Sequence, residues 1–120
     1  MPYDVYYFMN GNPKFKYMLK LDDVIIASVS IELEMIGSGY QYARFSDLYV
    51  NRGFRGEGYA KEIVQRIVED FGDTTIILKL NPIEETERKR LRMFYGKFKF
   101  ESMLNNHMIR VGKDERWPIF

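Results

Sequence analysis

Residues 48–72 read LYVNRGFRGEGYAKEIVQRIVEDFG, and this stretch decides the architecture. Ala60, Ile63, Val64, Ile67, Val68 and Phe71 form the apolar stripe of an amphipathic helix, recurring at the offsets that one helix face presents. Gly72 stands where a helix C-cap glycine is expected. Upstream, Tyr42 to Val50 reads as a strand running into the loop Asn51 to Glu57. Downstream, Thr74 to Leu80 is a short apolar run closed by Asn81-Pro82, the mark of a buried strand. Strand, helix and buried strand predict a right-handed βαβ crossover, with two parallel strands whose carboxyl ends lie side by side.

Working outward, Tyr3 to Met9 is rich in aromatic and β-branched residues and stops at the turn sequence Asn10-Gly11-Asn12-Pro13. In Lys14 to Leu21, Phe15, Tyr17, Leu19 and Leu21 alternate with lysines, so the odd positions are assigned to the core. After Asp22-Asp23, Val24 to Met35 repeats the alternation, with Ile25, Ala27, Val29, Ile31, Leu33 and Met35 on one face and Ser28, Ser30, Glu32 and Glu34 on the other. These two runs predict an antiparallel hairpin. Gly37-Ser38-Gly39 then leads into the fourth strand. Toward the C-terminus, Glu84 to Phe98 predicts a second helix, acidic at its start and basic further along, as the helix dipole favours. Its core face is Leu91, Phe94, Tyr95 and Phe98. Two short strands, Phe100 to Leu104 and His107 to Val111, flank an Asn105-Asn106 turn.

Composition removes several function classes. A formal charge of +1 over 120 residues gives no bulk electrostatic footprint for nucleic acid. With no cysteine there is no disulfide, thiolate metal site or cysteine nucleophile. The single histidine, His107, has no Cys or His companion at ligand spacing, so no metal is expected. Neither a signal peptide nor a membrane-spanning apolar run is legible, which gives a cytoplasmic expectation with no membrane partner.

The chemistry concentrates in Arg55-Gly56-Glu57-Gly58-Tyr59-Ala60. A loop that opens a helix has unpaired amides and the positive end of the dipole, and it can hold phosphate. Small residues at 56, 58 and 60 let a ligand approach the backbone. A nucleotide P-loop is excluded because Tyr59-Ala60 stands where Lys and Ser or Thr belong. A dinucleotide fingerprint fails because Lys61 takes the place of its third glycine. A plain glycine-capped turn remains the alternative at this point.

Two segments together resemble signatures of the GNAT (general N-acetyltransferase) family. Leu48-Tyr49-Val50 followed by Arg55-Gly56-Glu57-Gly58-Tyr59-Ala60 is similar to the family's hydrophobic strand end and Arg/Gln-x-x-Gly-x-Gly/Ala loop, with Arg55, Gly58 and Ala60 on its fixed positions. Phe94-Tyr95-Gly96-Lys97-Phe98-Lys99-Phe100 resembles its Leu-Tyr-x-Lys-x-Gly-Phe pattern. The resemblance covers roughly residues 14 to 111. It implies an α+β (mixed α/β) fold over a single domain, residues 1–120, with a GNAT-like mixed sheet of six to seven strands and two main helices. It also implies acetyl-CoA as acyl donor and direct attack by an amine.

On that resemblance, Leu48, Tyr49 and Val50 would line the coenzyme's pantetheine arm, and Arg55, Gly56, Glu57, Gly58, Tyr59 and Ala60 would hold its pyrophosphate. Tyr95 matches the tyrosine that protonates the leaving thiolate, its alternative being a core aromatic. Bringing a lysine-like amine of pKa about 10.4 to its neutral form near pH 7.5 costs about 4 kcal/mol, so a base is also wanted. Asp47 is the first candidate, ahead of Glu32 and Glu34.

Three departures stand out. Arg88 occupies a position where the family commonly has asparagine, and Lys99 replaces the glycine of the Gly-Phe pair, which predicts an altered turn. Asn10 to Pro13 leaves room only for a turn where the family usually inserts two helices. An open acceptor side follows, suited to a protein amine. The competing expectation is a non-catalytic module that keeps the fold or the coenzyme pocket for interaction. The apolar tail Trp117-Pro118-Ile119-Phe120 could cover the core or a second subunit, so a homodimer is also among the expectations.

Overall fold

The computed structural model describes residues 3–8, 11–36, 40–81 and 84–113. Seven strands, β1 (Tyr3–Phe8), β2 (Lys14–Leu21), β3 (Val24–Ile36), β4 (Tyr40–Val50), β5 (Thr75–Lys79), β6 (Glu101–Ser102) and β7 (His107–Arg110), form one sheet in the order β1-β2-β3-β4-β5-β7-β6. Helix α1 (Tyr59–Asp70) joins β4 to β5, and α2 (Glu85–Gly96) follows β5. All neighbouring pairs are antiparallel except β4 with β5, the parallel pair produced by the crossover through α1. The predicted turn at Gly37-Ser38-Gly39 and the tail from Trp117 lie outside the described residues, as do Met9 and Asn10.

Register places both helices on one face of the sheet. Phe15, Ile31 and Phe45 stand in a row across β2, β3 and β4. The Phe15 ring meets Phe71 at the end of α1 at 5.7 Å, and the Phe45 ring meets Tyr95 of α2 at 5.8 Å. Ile63, Val64 and Ile67 of α1 are wholly buried in this layer with Leu19, Val29, Ala43 and Ile76. Tyr17 ties the layer together by donating its hydroxyl proton to the Asp70 carboxylate at 2.6 Å. The other face carries the alternate residues, and its ladder is ionic. Glu32 pairs with Arg44 at 2.6 Å and Lys14 at 3.3 Å, while Arg44 also reaches Glu34 at 3.3 Å. Tyr42 donates a hydrogen bond to Glu34. No helix among the described residues covers this face, and only five residues separate β1 from β2. Nor is any described helix long and apolar enough to cross a membrane.

Several expectations change. Strict alternation assigned Ile25 to the core, but a bulge intervenes: Leu19 pairs with Ala27 and Lys20 with Ile25, so Ile26 is the extra residue. Ile26 is therefore buried and Ile25 exposed. Leu21 and Met35 are exposed too, because they sit at strand ends beyond the reach of α1 and α2. Gly72 does not adopt a left-handed cap, since the chain leaves α1 through Phe71 at φ −115°. Its glycine serves space instead, a Cβ there standing 3.0 Å from the Val68 carbonyl oxygen. Lys99 adopts φ 71°, the left-handed conformation that glycine takes easily and lysine at a cost.

Candidate active site

The site begins at an irregularity in β4. Ser30 pairs with Ser46 and Ser28 with Tyr49, so β4 spends an extra residue across the same length of β3. Asp47 sits in this bulge at φ 56°, a conformation that aspartate tolerates better than most side chains. The bulge turns the strand away from β5. Although β4 runs from Tyr40 to Val50, it pairs with β5 only from Tyr42 to Phe45, opposite Thr75 to Leu78. Beyond Phe45 the two parallel strands splay, and a cavity of about 1110 Å³ opens between them. Ser46, Asp47 and Leu48 line it from β4, Ile77 to Lys79 from β5, and Tyr95 from α2.

A second cavity, about 520 Å³, continues along Leu48, Val50 and Phe54 to the start of α1. Arg55, Gly56, Gly58, Tyr59, Ala60 and Lys61 form its end. The loop here is built rigidly. Ile26, the bulged residue of β3, accepts the Asn51 N–H at 2.7 Å, and Asn51 Oδ1 accepts the Gly53 N–H at 3.1 Å. Arg55 Nε donates to the Val50 carbonyl at 3.1 Å, pinning the loop to the strand end. Gly56 and Gly58 take φ 82° and 86°, and an added Cβ would meet nothing within 4 Å at either. The requirement for glycine is thus conformational, with open space above the backbone. The first bond of α1 runs from Glu62 N–H to the Gly58 carbonyl at 3.0 Å, so the amides of Tyr59, Ala60 and Lys61 precede the helical ladder. Free amides, a dipole end and the Lys61 ammonium converge on an anion site of phosphate type.

Tyr95 lines the first cavity from α2, and its neighbour Phe94 lines the second. Its ring is held edge-on by Phe45 at 5.8 Å and Phe100 at 5.7 Å, and only 6% of the residue is exposed. Among the described residues its hydroxyl has no hydrogen-bond partner, although buried phenols ordinarily find one. Burial pushes its pKa from the ordinary 10.0 up to about 12. At neutral pH the group is a phenol, able to donate a proton into the cavity it lines. Tyr42 is also raised to about 12, by burial first and then by its bond to Glu34. Glu32 is lowered, first by its hydrogen bond with Glu34, then by Lys14 and Arg44.

The structure thus brings Asp47, Leu48 and Tyr95 to one cavity, and Leu48, Val50, Arg55, Gly56, Gly58, Tyr59 and Ala60 to the other. Tyr49 and Glu57 line neither and are exposed. Glu32 and Glu34 line neither cavity and are held in the ionic ladder by Arg44, which lines the first. Sequence reasoning missed Phe54, Lys61 and Phe94 at the loop, and His107 and Asn105 at the gap. Spacing carried no signal for the last two, since only the sheet order brings β7 and the turn before it beside β5.

The family model described as Acetyltransferase (GNAT) family matches residues 1–100. The chain belongs to this family. Solved structures share the fold at low identity. The N-acetyltransferase YlbP of Bacillus subtilis, in complex with coenzyme A, is 15% identical with a TM-score of 0.58, over 80% of this chain and 66% of that one. Arabidopsis thaliana Naa50, bound to the bisubstrate analogue CoA-Ac-MVNAL, is 18% identical with a TM-score of 0.58, over 78% and 69%. A predicted acetyltransferase from Clostridium acetobutylicum, with acetyl-CoA, is 17% identical with a TM-score of 0.59, over 89% and 63%. This GNAT chain therefore spans about two thirds of the length of these structures. No curated protein matches the sequence.

Proposed function

We propose that this GNAT chain transfers an acetyl group from acetyl-CoA to an amine carried by a protein. The observation that carries the reading is the splay of β4 from β5 beyond Phe45, with the glycine-rich start of α1 at one end and a buried phenol beside it. A gap in a sheet exposes backbone polar groups that an extended amide-containing arm can pair with. The residues fit the coenzyme: the amides of Tyr59 to Lys61 and the Lys61 side chain suit a pyrophosphate, and Leu48 and Val50 flank the path inward.

When bound, acetyl-CoA supplies an activated acyl carbon. Tyr95 holds a proton at its hydroxyl, and the leaving sulfur is the group that needs one. Asp47, exposed at the bulge and lining the gap, offers a solvated carboxylate that attracts and holds an incoming ammonium. The two helices occupy one face, so the amine would enter from the face that no described helix covers. That face can accept a side chain projecting from a folded partner, which favours a protein acceptor over an enclosed small molecule.

The test is Tyr95→Phe, assayed with acetyl-CoA and two amine probes, poly-L-lysine and a short peptide with a free N-terminus. Acetyl-CoA affinity is expected to stay within about twofold, and turnover to fall by about 10²-fold or more. Wild-type protein that binds acetyl-CoA but acetylates neither probe would favour a coenzyme-binding module without catalysis. Undiminished turnover in the variant would remove Tyr95 from the chemistry.

A further inference from the structure

We infer that His107 is the group that takes the proton from the attacking amine, an assignment that rests on the transferase reading above. His107 opens β7 and stands opposite Lys79 in the register with β5. Leu78 and Met108, the next pair, point into the buried layer, so the Lys79 and His107 pair faces the sheet side without helices. This is the side from which the amine would arrive, and His107 lines the gap together with Asp47 and Tyr95.

The tautomer follows from what the ring touches. Nδ1 lies 3.3 Å from the Leu104 carbonyl oxygen, which also accepts the His107 backbone N–H. A carbonyl can only accept, so a hydrogen bond here requires the proton on Nδ1. Neutral imidazole has one N–H, and Nε2 then carries a lone pair. Among the described residues nothing bonds Nε2. The turn Leu104–Asn106 that supplies this carbonyl is fixed by two asparagines at φ 59° and 60°, and Arg92 of α2 reaches Asn106 Oδ1 at 3.4 Å. A backbone carbonyl orienting one ring nitrogen of a histidine that lines a cavity, with the other nitrogen unbonded, is the arrangement that prepares a histidine to act as a base. The charged and titratable groups lining the same cavity are Tyr42, Arg44 and Asp47 from β4, Lys79 from β5 and Tyr95 from α2.

The step balances with the groups at hand. The ammonium gives one proton to His107 Nε2, and the neutral nitrogen then attacks the thioester carbonyl. As the C–N bond forms and the C–S bond breaks, Tyr95 gives its proton to the sulfur. The second proton lost by nitrogen restores the phenol, and His107 returns its own to water. The sum is ammonium plus acyl thioester giving amide, thiol and one proton.

His107 is the only histidine in the chain, which makes the assignment directly readable. Long-range ¹H–¹⁵N NMR of the imidazole, on the full chain, is expected to show the Nδ1–H tautomer in the neutral form. H107Q is expected to lower kcat on poly-L-lysine by about 10²-fold with acetyl-CoA affinity within about twofold. Added imidazole should restore turnover to H107A. An Nε2–H tautomer overturns the assignment. So does an active wild type whose H107Q variant stays within about threefold of it. A wild type that neither binds acetyl-CoA nor acetylates overturns the transferase reading, and this assignment with it.

Discussion

At the scale of single residues, backbone conformation and burial decide more than side-chain type. Lys99 holds a left-handed conformation at φ 71° on an exposed turn. Lys99→Gly should relieve the steric cost and lose part of that gain to the entropy of the unfolded chain, for a net stabilisation of about 0.5–1 kcal/mol by urea denaturation. Tyr95 makes a pH-dependent prediction. Its pKa is raised by burial from 10.0 to about 12 in the folded chain, so its contribution is intact below pH 10 and is lost as pH climbs toward 12. Tyr95→Phe should therefore weaken the alkaline loss of stability by about 2–3 kcal/mol across that window, read by thermal melts at stepped pH. A motif of fixed spacing singles out Tyr95, Gly58 and Ala60, and the structure places Tyr95 at the first cavity and Gly58 and Ala60 at the second. No spacing singles out His107, which shares its cavity with Lys79, Asp47 and Tyr95 from three other elements.

At the scale of elements, the two bulges organise the site. The β3 bulge at Ile26 anchors Asn51, and the β4 bulge at Asp47 ends pairing with β5. Alternation in the sequence marked both strands but could not reveal the β3 bulge, since one extra residue in the apolar run Val24 to Ala27 leaves the pattern nearly unchanged. That is why Ile25 and Ile26 exchange the places expected for them. Asp47→Asn separates geometry from charge, because asparagine also tolerates a positive φ. Folding stability is expected to stay within about 0.5 kcal/mol, while KM for poly-L-lysine rises several-fold and kcat changes less. A β-branched Asp47→Val should instead destabilise the chain by about 1–2 kcal/mol and disturb acetyl-CoA affinity, measured by urea denaturation and calorimetry.

At the scale of the whole molecule, the layer arrangement is asymmetric, with both helices on one side and an ionic ladder on the other. The crossover, the strand order around it and both helices were legible because periodicity and glycine placement are local signals. The side on which α2 packs was not, since it depends on Phe45 and Tyr95 meeting across half the chain. The central claim is that the splayed β4 and β5, closed by the glycine-rich start of α1, hold acetyl-CoA. Calorimetric titration of acetyl-CoA into wild type, Gly58→Ala and Gly58→Glu tests it most directly. Both variants strain the same φ 86° backbone, and only glutamate adds a carboxylate at the anion site. Binding to wild type, retained at reduced affinity in Gly58→Ala and abolished in Gly58→Glu, is the expected result. No binding to wild type, or equal binding in all three, would contradict the account.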